Sequence, residues 1–152
     1  MWKRVLSGVW RRLPKQARRA GVLLTNARFT VTVGAVILDP QNRVLLLQHR
    51  FHPGTGWGIP GGFINPQEQP EDALRRELRE EIGLEVDDLE IAFINTLQQY
   101  QQVEIIFRAT ACIEVQPRSF EILRAEWFET TLLPDDLSNY QRGLIQKATQ
   151  TL

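Results

Sequence analysis

The chain is poor in the features that mark specialised classes of protein. One cysteine, Cys112, stands among 152 residues, so no internal disulfide can form and nothing points to an oxidising compartment. It lies in an apolar run, where a small packed side chain is the ordinary outcome. No apolar run approaches the roughly 20 residues of a membrane-spanning helix, and no secretory signal is evident. No acidic residue precedes Asp39, although eight basic ones do. The formal net charge is zero, so the remainder holds ten basic against eighteen acidic residues. Internal repeats, low-complexity tracts and domain linkers are missing too. Apolar and charged fractions of 43% and 24% belong to a globular domain long enough for a real core. A cytoplasmic location is the expectation.

What is abundant is acid on one short helix. The stretch Gly61 to Leu84 reads GGFINPQEQPEDALRRELREEIGL. Pro70 suits a first helical turn and Gly83 a left-handed cap. Between them Leu74, Leu78 and Ile82 share one face, which the core should claim. Glu77, Glu80 and Glu81 share the neighbouring face. At ~4 Å each pair of such charges costs about 1 kcal/mol in bulk water and roughly 4 at an effective dielectric of 20. Arg75, Arg76 and Arg79 offer solvated ion pairs, the bland explanation of the cluster. A hard divalent cation relieves the repulsion better. Gly61 and Gly62 add backbone that a ligand can approach closely. An acidic body must in any case recruit a cation before it accepts an anion.

The elements around this helix read as a mixed sheet covered by helices. Phe29 to Leu38 is rich in β-branched residues and predicts a buried strand. Asp39 to Asn42 is turn chemistry, and Val44 to Leu47 the returning strand. His49, Arg50, Phe51 and His52 lead into a Gly/Pro loop; the histidines lack partners for a softer metal site and are read as loop residues. Leu89 to Leu97 and Val103 to Val115 predict strands joined through a turn at Gln98–Gln102. Polar Glu104, Arg108 and Thr110 imply that part of this sheet faces solvent or a cleft. Ile122 to Glu129 predicts a last strand and Leu132 to Leu137 a connector. Ser138 and Gln141 form a capping box for a closing helix with Tyr140, Leu144, Ile145 and Ala148 inward.

The chain begins with a basic amphipathic helix, in which Trp2, Val5, Leu6, Val9, Trp10 and Leu13 recur opposite Lys3, Arg4, Arg11 and Arg12, and which Pro14 should end. Residues 2–13 could touch a membrane surface, but packing on the chain's own domain or across a homodimer is favoured. The Arg-rich, acid-free start also has the composition of an organelle transit peptide. The expected organisation is a basic segment over residues 1–28 and one domain over 29–152, without a DNA-binding element.

The acidic stretch resembles the signature of Nudix hydrolases, G-x5-E-x7-R-E-U-x-E-E-x-G-U with U aliphatic. Gly62, Glu68, Arg76, Glu77, Leu78, Glu80, Glu81, Gly83 and Leu84 occupy every fixed position. The resemblance implies an α/β fold, the Nudix α/β/α sandwich, and hydrolysis of a nucleoside diphosphate linked to another group. It casts Glu77, Glu80 and Glu81 as ligands of Mg²⁺ or Mn²⁺, with the Gly62 carbonyl as a further oxygen. Glu68 and Arg76 become the pair that pins loop to helix. The base that deprotonates water is Glu77 or a glutamate on a later loop, for which Glu121 is chosen over Glu104 and Glu126. Arg50 is a candidate for a substrate phosphate, and Trp57, Phe51, Phe63 and Tyr100 for stacking a base. The proline that tends to mark the ADP-ribose subgroup is absent, and the substrate stays open among sugar nucleotides, dinucleotides and nucleoside triphosphates. The alternatives are a non-catalytic nucleotide sensor and an RNA 5′-end pyrophosphohydrolase.

Overall fold

The structure is a computed structural model that describes residues 13–51, 56–86, 88–111 and 115–150. The expectations for Trp2 to Trp10, His52 and Cys112 lie outside these residues.

Helix α1 spans Lys15–Thr25 and begins directly after Pro14, where the sequence reading placed no element. Strand β1 follows at Thr30–Leu38 and β2 at Arg43–His49. Asp39 makes the turn between them, its Oδ1 accepting hydrogen bonds from the backbone of Gln41 and Arg43. Short strands β3 (Trp57–Gly58) and β4 (Gly61–Phe63) precede helix α2, Pro70–Ile82. The chain continues through β5 (Glu90–Leu97), a 3₁₀ turn at Gln98–Tyr100, β6 (Gln102–Thr110), β7 (Ile122–Glu129) and helix α3 (Asn139–Thr149). Strand β6 stops at Thr110, five residues short of the expected end at Val115.

The sheet runs β3-β2-β1-β6-β5, with β4 also on β1 and β7 also on β2. Only β1 and β6 are parallel; the other pairs are antiparallel. One edge of β1 is therefore shared: Thr32 to Gly34 pair with β4, whereas Leu38 pairs with Val44 of β2.

Alternation along β1 divides the core in two. Val33, Ala35 and Ile37 pack with Leu74, Leu78 and Ile82 of α2. Val36 and Leu38 pack with Leu144, Ile145 and Ala148 of α3. From Val33 to Leu38 the strand is buried on both faces, which accounts for the unbroken apolar run there. Burying each of the three α2 side chains contributes about 1.5–3 kcal/mol. The result is helix, sheet and helix in three layers. At the start of α3, Ser138 Oγ accepts from Gln141 N at 3.2 Å. The reciprocal half of the expected capping box is not made: Gln141 Oε1 accepts instead from Ile59 N at 3.1 Å. Among the described residues no helix is long and apolar enough to cross a membrane.

Candidate active site

Helix α2 lies against β4, and their contact brings glycine and carboxylate together. A Cβ at Gly62 would overlap the Glu77 carboxylate, and one at Gly61 would overlap the Val33 carbonyl. Gly61 also has φ 153°, a backbone that side chains disfavour. Two residues without side chains thus let the helix and β1 close on β4 from opposite sides.

Arg76 is the organising cation. Its Nε donates to Glu68 Oε1 at 2.8 Å and its Nη2 to Glu68 Oε2 and the Phe63 carbonyl, each at 3.0 Å. Nη1 reaches Glu77 Oε1 at 2.8 Å and Glu80 Oε2 at 3.5 Å. Asn65 N donates to Glu68 at 2.9 Å, so the loop before the helix is held at both ends of one carboxylate. Arg76, then the Asn65 N–H, hold the Glu68 carboxyl down at about 2.

Glu81 behaves differently. It is a buried carboxylate, and its Oε2 has no hydrogen-bond partner among the described residues. Burial, then the charge of Glu77, push it up to about 8; the Gly61 N–H opposes this, while Glu121 and Glu80 reinforce it. An acid that resists ionisation because it is buried and like charges face it fits a site for a cation. His49 Nδ1 stands 3.9 Å from Glu81 Oε1. The sequence reading left His49 in a loop, but it closes β2 and faces the acidic site.

Glu121 belongs to the loop before β7. The Glu81 carbonyl accepts from Arg118 N at 2.8 Å and Ser119 N at 3.3 Å, and the Glu121 carbonyl from Arg50 N at 2.8 Å. The first two bonds tie the loop to the end of α2 and the third ties it to the end of β2. Glu126 pairs in register with Leu46, whose side chain belongs to the α3 side of the core. Glu104 lines a cleft on that same side. Of the three later glutamates, Glu121 is the one whose charge reaches Glu81.

The five substrate candidates separate. Phe63 lines the α3-side cleft and is 62% exposed. Arg50 lies over the Phe120 ring, 4.3 Å from its centroid, and Phe120 is 6.1 Å from Phe51. Trp57 packs edge-on against Phe128 at 5.1 Å, which gives it to the core rather than to a ligand. Tyr100 sits exposed on the β5–β6 turn. Gln102 and Gln141 line the cleft and were missed; polar residues inside a strand and a helix start were the available signal.

Hard oxygen donors, the unpartnered Glu81 oxygen and the close approach of Gly62 suit a divalent ion by donor chemistry. Among the described residues no three His, Cys, Asp or Glu side chains form a preformed cage. Glu77 and Glu80 are engaged by Arg76 instead.

Fold and site define a family, and comparison with known proteins agrees. The NUDIX domain matches residues 28–148, and the chain belongs to that family. The m7GpppN-mRNA hydrolase dcap-2 of Caenorhabditis elegans is 34% identical over 145 residues, covering 86% of this chain and 18% of that protein. An RNA pyrophosphohydrolase of Pseudomonas putida is 48% identical over 63 residues, covering 41% of this chain and 38% of that one. The chain thus spans well under half the length of these two relatives. A MutT NUDIX hydrolase structure from Burkholderia pseudomallei is similar with a TM-score of 0.69 and 25% identity, over 79% of this chain and 98% of that one. Nudix hydrolases generally use divalent metals.

Proposed function

We propose that this domain hydrolyses the pyrophosphate bond of a nucleoside diphosphate linked to another group, with Mg²⁺ or Mn²⁺. The observation that carries the reading is Glu81: a buried carboxylate with an unpartnered oxygen, facing Glu77, Glu80 and Glu121. Glu77, Glu80 and Glu81 would hold the metal, with the Gly62 carbonyl. Such an ion supplies neutralisation of phosphate oxygens and a more acidic water. Glu121 takes the proton of the attacking water, the phosphorus–oxygen bond of the anhydride breaks, and two phosphate products leave. Arg76 and Glu68 fix to the helix the loop that follows Gly62 and Phe63, so that the reacting groups meet in one geometry.

The test is a panel of nucleotides incubated with and without Mg²⁺ or Mn²⁺, with phosphate products separated and counted. Metal-dependent release of a nucleoside monophosphate is expected. Tight binding of one nucleotide without turnover of any would replace this reading with a nucleotide sensor.

A second reading, RNA 5′-end pyrophosphate hydrolysis, is favoured by the two RNA-acting relatives. The exposed Phe51 and Phe120 rings, with Arg50 over Phe120, suit stacking of an unpaired base. Triphosphorylated RNA turned over faster than a free nucleoside triphosphate would support it.

A further inference from the structure

On the opposite side of β4 from the acidic helix lies a cleft of about 330 Å³, bounded by Gly61, Phe63, Ile59, Ile106 and Leu144, with Glu104 among its walls. That volume is in the range of small-ligand sites. Three of its wall residues, Phe63, Thr32 and Glu104, share one row of the sheet, and Asn95 extends that row on β5. Phe63 of β4 pairs with Thr32 of β1, Thr32 with Glu104 of β6, and Glu104 with Asn95 of β5. Paired residues point to the same face. Phe63 and Glu104 are therefore two strand spacings apart, about 10 Å.

Glu104 is held by its neighbours without being used up. Gln102 Nε2 donates to Oε1 at 3.3 Å and to Thr32 Oγ1 at 2.9 Å. The Tyr140 hydroxyl donates to Oε2 and accepts from Asn95 Nδ2 at 3.0 Å. Burial, then the bond to Glu104, push the Tyr140 phenol up to about 12, so it stays a donor. A carboxylate offers roughly four acceptor positions. One bond on each oxygen leaves a further lone pair on each, fixed in direction by Tyr140 and Gln102. Two neighbouring acceptors beside an exposed ring describe a partner that is flat and carries two adjacent N–H groups. Guanine has that pair in its ring N–H and exocyclic amine. Adenine presents a donor beside an acceptor, which a carboxylate oxygen repels.

We propose that this cleft receives the base of the nucleotide and that Glu104 selects guanine over adenine, with Tyr140 and Gln102 as positioning residues. The inference rests on the reading above that the chain acts on nucleotides, but it concerns a different face of the sheet and can fail separately.

The experiment is a titration of the full chain with guanosine, inosine and adenosine monophosphates, followed by calorimetry, beside turnover of the matching triphosphates with Mg²⁺. Inosine keeps the ring N–H and lacks the amine. Sites built to bond an N–H reject analogues lacking it strongly when buried; in this half-open cleft about tenfold per step is expected. Guanosine should bind tightest, inosine next and adenosine weakest. Glu104→Gln should bring the guanosine-to-adenosine ratio to within about threefold, and Tyr140→Phe should lower it by a smaller factor. Equal binding of the three by the unaltered chain overturns the proposal even if all are hydrolysed. Graded binding without turnover upholds the base preference and overturns only the reaction. Should Glu104→Gln fail to fold, as a lost melting transition would reveal, the inosine comparison and Tyr140→Phe decide.

Discussion

On the α2 side of the sheet the polar groups come mainly from one helix and the short loop before it. There a single arginine ties Glu68, Glu77 and Glu80, and His49 of β2 and Glu121 join them from outside. On the α3 side they come from β1, β5, β6 and α3, and they meet because strand register lines up the first three and α3 brings Tyr140 onto them. The first side concentrates like charge against Arg76 and buries one acid. The second spreads neutral donors around one carboxylate. The first arrangement can gather a cation and move a proton; the second can read the shape of a neutral ring. On the reading proposed above, the two sides divide chemistry from recognition.

That division can be broken most directly at Glu81. Glu81→Gln should lower turnover about a thousandfold, the kinetic worth of several kcal/mol. The same change should raise the melting temperature of metal-free protein at neutral pH, because a buried acid facing like charges is removed. Steady-state kinetics and thermal melts check the two halves; retained turnover would remove Glu81 from the metal site. Gly62→Ala comes next. The new methyl meets the movable Glu77 carboxylate rather than backbone, so the fold should persist while turnover drops about tenfold to a hundredfold. Gly61→Ala, which meets the Val33 carbonyl at φ 153°, should instead destabilise the fold, seen as a lower melting temperature.

Smaller effects sharpen the picture. Glu68 has a folded-state value of about 2, below its ordinary 4.5, so the unfolded chain binds more protons there as acid is added. Its stabilising contribution is full above about 4.5 and fades as pH falls towards about 2. Glu68→Gln should remove that part of the acid limb in a melting-temperature profile against pH. The smallest effect belongs to Arg79, whose 2.6 Å bridge to Glu85 is exposed on both sides. Arg79→Ala should change stability by less than about 1 kcal/mol and leave turnover and base preference alone, although Arg79 lies one turn or less from all three glutamates.

The same division governed what the sequence revealed. Helix α2 with its Pro70 start and Gly83 cap, and the seating of Leu74, Leu78 and Ile82, follow from spacing within one segment. The link of Glu68 to Arg76 rests on the resemblance and is seen in the fold. The row from Phe63 to Asn95 could not be read, because parallel pairing of β1 with β6 is set by packing over a long separation. His49 was missed for a related reason: β2 continues to it because β7, distant in sequence, and the irregular segment from Gly56 into β3 flank it. Trp57 looked like a stacking residue, since an aromatic beside glycines has the same local pattern whether it meets a base or Phe128. Gln141 fitted a capping box by spacing, but a bond to Ile59 took its side chain instead.

The main chain of Glu81 has a task that its side chain does not share. Its carbonyl receives the amides of Arg118 and Ser119, a connection that a change of the Glu81 side chain preserves as long as the helix path is unaltered. Replacing the residue therefore tests only what its acid group contributes, and the tether between α2 and the segment bearing Glu121 escapes alanine scanning. A changed length of the loop over residues 116–121 would tug on the end of α2 itself, so the site should tolerate altered letters there far better than inserted or deleted ones.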